Sequence, residues 1–250
     1  MSERLTTITF DFWCTLLFDG PGSDERYRPR RLQDFATILA AHGVATKRAN
    51  LDRAYARMTS YLATLWSQYR DVPVEIHVRE ILKALDAGLA DRLPPEALAS
   101  LIDAYSRPAT IVPPTVDTGA LTAVETLCAR GYTLAVISNT MRTPGVALRK
   151  VLERYRLLGA FKHITFSDEV GIRKPAPEIF AMTLRALDAD PARSLHVGDD
   201  PILDVHGARA AGMRVVQVTD APPTALGVNA PDAVVRSLID LPAAIARLDA

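Results

Sequence analysis

Asp11, Ser138, Asn139, Lys174, Asp199, Asp200 and Asp204 are widely spaced in the chain, yet each stands at or beyond the end of a short apolar run. Residues 5–10 lead to Asp11, residues 133–137 to Ser138 and Asn139, and residues 195–197 to Gly198, Asp199, Asp200 and then Asp204. Residues 163–166 lead to a loop carrying Asp168, Glu169, Arg173 and Lys174. Each run has the length and apolar, partly β-branched composition of a buried strand. Open parallel sheets bind ligands beyond the carboxyl ends of their strands. One rim would therefore gather carboxylates, a hydroxyl, an amide and a lysine. Such a set suits an anion together with a divalent metal, because carboxylates hold Mg²⁺ while lysine and amides hold phosphate. Bland readings stand beside this one. Ser138 also fits a helix cap, Asp11 a turn, and Asp200 and Asp204 fit acids favoured at a helix N-terminus.

The elements that would position these groups fall into two textures. Residues 24–107 read as helix throughout, with apolar stripes at 3.6-residue spacing. One holds Leu32, Phe35, Ile38 and Leu39, and a second runs from Leu51 through Tyr55, Met58 and Leu62 to Leu65 and Trp66. A third holds Ile81, Leu82, Leu85 and Leu89, and a fourth Leu98, Leu101, Ile102 and Tyr105. The Pro-rich stretch 108–114 closes this block. Beyond it helices near 121–130, 146–157, 179–187, 202–211 and 240 onward alternate with strands at 133–137, 163–166, 195–197, 214–218 and 233–235. Repeated βα units predict a doubly wound, mostly parallel α/β sheet with helices on both faces. The isolated first strand should join that sheet. The helical block is then an inserted cap: residues 1–20 and 110–250 form the core domain and 21–109 the cap.

Composition narrows the function. The 250 residues carry 29 Lys+Arg against 29 Asp+Glu, which leaves no basic field for nucleic acid or an anionic membrane. No apolar run approaches the roughly 18 residues of a membrane span, and residues 1–9 lack the apolar segment of a signal peptide. Cys14 and Cys128 are too few for a disulfide framework and read as reduced thiols. A cytoplasmic protein acting on a small molecule is expected.

The same residues carry a family resemblance. Asp11-Phe-Trp-Cys-Thr-Leu16, Ile137-Ser-Asn139, Gly171-Ile-Arg-Lys-Pro-Ala-Pro-Glu-Ile-Phe180 and His196-Val-Gly-Asp-Asp-Pro-Ile-Leu-Asp204 resemble, in order, the four motifs of the haloacid dehalogenase (HAD) superfamily. The resemblance covers residues 5 to about 220 and implies a Rossmann-like core with a helical cap inserted after the first motif. It implies a hydrolase, most simply a Mg²⁺-dependent phosphatase of a small phosphorylated metabolite. Asp11 would be the nucleophile and form an aspartyl phosphate, with Lys174 neutralising charge beside it. Ser138 and Asn139 would bind the transferring group. Asp11, Asp199 and the Trp13 backbone carbonyl would hold Mg²⁺, with Asp200 or Asp204 as a further ligand or a holder of metal-bound water.

Trp13 departs from the pattern. Phosphatases of this family place a second aspartate two residues after the nucleophile, as general acid for the leaving group. An indole gives no such proton, and general acid help is worth about 10²–10⁴ in rate. Trp13 reads equally as a substrate platform, a cap contact or a packing residue. The departure keeps two alternatives open: a weak or silent member that binds a ligand or partner, and a 2-haloacid dehalogenase-like hydrolase, whose halide leaves without a proton. Cys14 likewise stands where glycine is usual.

Other features carry less. Arg26, Arg28, Arg30 and Arg31 form either an anion clamp or a solvated helix start. His196, on a buried strand, reads as a satisfied core histidine. The Gly20-Pro-Gly22 turn is followed by no dinucleotide fingerprint.

Overall fold

In the computed structural model, which describes residues 4–19, 23–220 and 230–249, β1 (Thr7–Phe10) runs directly into the loop bearing Asp11. The Gly20-Pro-Gly22 turn, residues 1–3 and the first two residues of the expected cap lie outside the described residues. After Asp11 the chain turns tightly, with the N–H groups of Leu16 and Leu17 both donating to the Phe12 carbonyl. It then forms the two-residue strand β2 (Leu17–Phe18).

A helical block follows: α1 (Ser23–Ala41), α2 (Arg48–Trp66), α3 (Val74–Leu85), α4 (Leu89–Arg92), α5 (Pro95–Ser106) and the single turn α6 (Pro108–Ile111). Phe35 and Leu39 of α1, Tyr55 and Leu62 of α2, Ile81 and Leu82 of α3 and Leu101 and Tyr105 of α5 meet in one apolar cluster. The pairs in α1, α2 and α5 are four or seven residues apart, and in α3 Val78 of the same cluster lies three before Ile81, so each helix turns one stripe inward. Leu89 departs from expectation. The pattern puts it on the helix of Ile81, but α3 ends at Leu85, where the Asp86 carboxylate accepts the Gly88 N–H at 3.0 Å. Such a local side-chain bond competes with helical pairing. The Pro-rich stretch adds the turn α6, with Pro108 at a first helical position that needs no N–H donor.

Next comes β3 (Thr115–Val116), which pairs antiparallel with β2. The remaining elements alternate: α7 (Ala120–Ala129), β4 (Thr133–Ser138), α8 (Gly145–Arg154), β5 (His163–Phe166), α9 (Ser167–Val170), α10 (Pro177–Ala186), β6 (Ser194–Gly198), α11 (Gly207–Ala210), β7 (Arg214–Val218), β8 (Ala233–Val235) and α12 (Leu241–Leu248). Residues 202–211 predict one continuous α-helix. Instead Pro201–His206 is a π-helical turn, in which the Val205 N–H reaches back to the Asp200 carbonyl at 3.1 Å. Such widened turns are frequent at functional sites.

Six parallel strands lie in the order β5-β4-β1-β6-β7-β8. The first strand does join the later ones, and it sits at the centre. Leu134 and Val136 pack on one side with residues of α7, α8 and α12, while Ile137 packs on the other with Ile179, Phe180 and Val205. Period-2 alternation with apolar residues on both faces explains why these strands read as near-continuous hydrophobic runs. The chain extends the sheet from β1 through β4 to β5, then crosses to β6 on the far side of β1. The crevice at that reversal lies at the carboxyl ends of β4, β1 and β6. No helix among the described residues is long and apolar enough to cross a membrane.

The apolar cluster of the cap contains residues from α1 to α5 and the two clusters flanking the sheet contain none of them. Replacing residues 24–107 by a short linker is therefore expected to leave a folded sheet domain. Circular dichroism should lose helix while a cooperative thermal transition persists. Loss of that transition would show the two parts to be one folding unit.

Candidate active site

Lys174 is the centre of the rim. Its Nζ lies 2.7 Å from Asp11 Oδ1 and 2.6 Å from Asp204 Oδ1, and its side chain is 1% exposed. Burial works against the ammonium, but the two carboxylates outweigh it and hold the lysine charged, above its usual range. Its backbone is pinned as well. The Asn139 side chain accepts the Lys174 N–H at 2.8 Å and donates to the Lys174 carbonyl at 3.0 Å. Asn139, expected at the transferring group, thus spends its side-chain amide on the loop that carries the lysine.

Asp204 is more constrained than Asp11. Its Oδ1 accepts from Lys174 and lies 3.0 Å from His196 Nε2, and Oδ2 accepts the Asp200 N–H at 3.0 Å. Burial raises its pKa, but Lys174 and His196 together outweigh that and hold the carboxyl well below the usual range. His196 is fully buried with Nδ1 2.8 Å from Thr9 Oγ1, and its ring stands edge-on to Phe180. Both ring nitrogens are engaged, and burial lowers its pKa against the pull of Asp204. Gly198 makes room for this arrangement: a Cβ there would stand 2.2 Å from Asp204 Cγ.

Asp11 and Asp199 remain less neutralised. Burial raises Asp11 to about 6, with Lys174 opposing and Asp204 adding to the rise. Burial raises Asp199 to about 7, followed by the repulsion of Asp11 and Asp204. Carboxylate oxygens of Asp11, Asp199 and Asp204 all lie within 4.8 Å of one another. This is an oxygen-rich set that a divalent cation would relieve of its mutual repulsion, so the residues fit Mg²⁺. Asp200 stands outside that cluster, and its Oδ1 accepts the N–H groups of Ile202 and Leu203 at the start of the π-helical turn.

Ser138 ends β4 fully buried, and its Oγ has no hydrogen-bond partner among the described residues. An unpartnered buried hydroxyl is costly unless something else accepts its proton. Trp13 is half-buried, its ring edge-on to Phe12, with the indole Nε1 also buried and without a hydrogen-bond partner among the described residues. Cys14 holds a left-handed backbone (φ 56°), the conformation that glycine adopts at least cost.

Several of these groups line a cavity of about 280 Å³ beneath the cap, though Ser138 and Asp204 are not on its wall. Asp11, Trp13, Lys174, Asp199 and Asp200 belong to the sheet domain, and Tyr27 and Arg31 come from α1. The arginine cluster divides. Arg26, Arg28 and Arg30 pair with Asp19, Asp52 and Asp34, whereas Arg31 is 1% exposed and donates to the carbonyls of Tyr105 and Arg142. Arg31 thereby joins the cap to the loop after β4. Sequence reasoning missed Tyr27, Asp19, Met141 and Arg142 on the cavity wall and the cap acid Asp71, which pairs with Arg173. None of these belongs to a motif; the two paired acids carried no signal beyond charge. A larger polar depression of about 840 Å³, lined by residues within 42–57 and 84–94 of the cap, contains no residue of the rim.

A family model of haloacid dehalogenase-like hydrolases matches residues 5–212. Phosphoserine phosphatase of Thermus thermophilus is 40% identical over 94 residues, 36% of this chain and 34% of that protein. Ribulose-1,5-bisphosphate 5-phosphatase of Halopiger xanaduensis is 31% identical over 137 residues, 54% of each chain. The matches thus span between a third and about half of these relatives. Among solved structures, 2-haloacid dehalogenase from Pseudomonas syringae pv. tomato DC3000 aligns with a TM-score of 0.68 at 23% identity over 98% of this chain and 100% of that one. A HAD phosphatase from Thermococcus onnurineus aligns at 0.59 and 24% identity over 95% of this chain and 96% of that one. Both show the same fold. The matched region opens ahead of β1 and ends beyond Asp204, so the whole rim falls within it, and the chain belongs to the haloacid dehalogenase-like hydrolases.

Proposed function

We propose that this hydrolase is a cytoplasmic, Mg²⁺-dependent phosphatase of a small phosphorylated metabolite, acting through an aspartyl phosphate on Asp11. The supporting observation is the grouping of Asp11, Asp199 and Asp204 around buried Lys174, with Asp11, Asp199 and Lys174 lining a small cavity. Relatives named as phosphatases point the same way. Asp11 and Asp199 would hold the ion, with the Trp13 carbonyl as a further donor and Asp200 and Asp204 fixing the surrounding loop or metal-bound water. Bound there, Mg²⁺ would neutralise phosphate charge.

The protein groups have separate tasks. A carboxylate oxygen of Asp11 attacks phosphorus, and the bond from phosphorus to the leaving oxygen breaks as the new bond forms. Lys174 offsets the charge of Asp11 and of the phosphoryl oxygens as they approach. Ser138 Oγ donates its uncommitted proton to one of those oxygens. Asn139 contributes by fixing the lysine backbone. Water then attacks the aspartyl phosphate and regenerates Asp11. The limited cavity volume suits a small ester.

A second reading, hydrolysis at carbon in a 2-haloacid, is favoured by Trp13. An indole in place of an acid suits a halide, which departs without a proton. Asp11 would then form a carbon ester, again hydrolysed by water.

Three measurements test these readings. Protons compete with the metal at Asp11 and Asp199, whose pKa values near 6 and 7 lie above the usual carboxylate range. Mg²⁺ binding should therefore weaken as pH falls through 7 to 6 and release about one proton at pH 6.5. Calorimetry in buffers of different ionisation enthalpy reads this, and Asp199→Ala should abolish most of the binding. Binding unchanged in that variant removes the metal assignment.

The second measurement is a panel of phosphate esters and haloacids with and without Mg²⁺. Metal-dependent phosphate release is expected, with Asp11→Asn reducing turnover by roughly 10³-fold or more. Halide release without metal would select the second reading.

The third concerns Trp13. Without proton assistance the leaving oxygen departs as an anion, so rates should fall steeply as leaving-group pKa rises. Aryl and acyl phosphates should outrun alkyl phosphates, which need about 10²–10⁴ of help. Trp13→Asp should recover part of it, most for the poorest leaving group. A flat dependence, measured where phosphoryl transfer limits, would mean that another group donates the proton.

A further inference from the structure

Asp71 is a buried acid with no part in the chemistry above. It belongs to the cap, between α2 and α3, and is 5% exposed, yet its carboxylate is planted in the sheet domain. Oδ2 accepts from Arg173 Nη1 at 2.5 Å, from Ser167 Oγ at 2.5 Å and from Thr140 Oγ1 at 3.4 Å. Oδ1 accepts from Trp66 Nε1 at 3.1 Å and from the Val72 N–H at 2.9 Å. The backbone is fixed too. The Asp71 N–H donates to the Gly171 carbonyl at 3.0 Å and the Arg173 N–H to the Tyr69 carbonyl at 2.9 Å, flanking an antiparallel bridge between Arg70 and Ile172.

The three donors to Oδ2 lie on the two loops that carry rim residues. Thr140 follows Ser138 and Asn139, and Arg173 precedes Lys174. The loops are also joined to each other: the Thr140 N–H donates to Ser167 Oγ at 2.8 Å, and Arg173 Nη1 donates to the Thr140 carbonyl at 2.7 Å. Asn139 grips the Lys174 backbone one residue further on. Asp71 supplies the negative charge inside this junction. Remove it, and Arg173, itself 5% exposed, is left buried without its counter-charge while the Ser167 hydroxyl loses its acceptor. Water would have to enter, and the loops would part to admit it.

We infer that Asp71 is a positioning residue contributed by the cap, holding the loops after β4 and β5 in the register that sets Ser138 at the end of β4 and brings Lys174 to Asp11. Its effect on turnover rests on the phosphatase reading; its effect on the loops does not. Because Asp71 acts through Lys174 and Ser138, its loss weakens interactions made in the transition state more than ground-state binding.

The test uses the full chain and compares Asp71→Asn with Leu101→Ala, which carves a cavity in the cap's own core and touches neither loop. Two readouts are taken: kcat and KM on an aryl phosphate, and hydrogen exchange over residues 138–143 and 167–174. Asp71→Asn should lower kcat about tenfold or more with KM within about threefold. It should also speed exchange in both loops while β1 and β6 stay protected. Leu101→Ala should loosen the cap and leave kcat within about twofold. If Asp71→Asn does not fold, Arg173→Lys keeps the positive charge but removes the planar guanidinium whose Nη1 bridges Asp71 and the Thr140 carbonyl and which lies over the Trp66 ring, and should give the same pair of changes. Should the wild type hydrolyse no phosphate ester, the phosphatase reading falls and loop exchange alone decides this one. Unchanged exchange in both loops, or a kcat loss no greater than that of Leu101→Ala, overturns the inference.

Discussion

A lysine ammonium taken out of water loses hydration worth several kcal/mol, and only well-placed opposite charge makes its burial tolerable. In this protein that constraint falls on Lys174, and much of the surrounding structure answers to it. Asp204 meets it from the π-helical turn, and Asp11 from the end of the central strand. Asp204 can approach only because Gly198 has no Cβ, and its remaining acceptor positions are satisfied by His196 and the Asp200 amide. His196 is in turn fixed by Thr9, one strand away. The chain of contacts therefore runs from the sheet interior to the cavity floor without an exposed member, and it holds Asp11 beside a permanent positive charge.

The asymmetry between the carboxylates follows from the same interaction. Asp204 has two cationic or donor partners at one oxygen and sits low in pKa; Asp11 shares the lysine and remains raised to about 6. Asp199 faces Asp11 and Asp204 with Lys174 as its counterweight, and rises furthest, to about 7. Acids close in sequence are thus given different tasks by geometry. Asp204 holds the lysine, Asp200 caps a turn, and Asp199 keeps an uncommitted carboxylate facing the cavity.

How much of this was legible depended on range. Buried parallel strands are apolar on both faces, so β4, β5, β6 and β7 stood out as runs in the sequence, and the acids, hydroxyl and lysine after them marked the rim. Residues 17–18 and 115–116 were invisible as strands, because two residues carry no periodicity. The break between α3 and α4 turned on a single Asp86 side-chain bond inside an otherwise helical stripe. The π-helical turn was hidden because residues 202–211 are patterned as ordinary helix. Asp71 and Arg31 were the hardest. Their roles depend on cap and sheet domain meeting in space, and a charged residue in a helical block ordinarily faces solvent.

Inserted caps invite the idea of exchangeable parts: one sheet domain and a wardrobe of lids, each bringing its own selectivity. The salt bridge between Asp71 and Arg173 limits that freedom. A foreign cap with an apolar residue where Asp71 stands would seal an arginine into a dry contact without an anion, immediately beside the lysine of the rim. The transplant would then be faulted at the seam, however well the new lid suited its substrate. In this protein the smallest unit that can be exchanged cleanly is a cap together with the residue that precedes Lys174, so diversification of the lid is tied to a position inside the third motif.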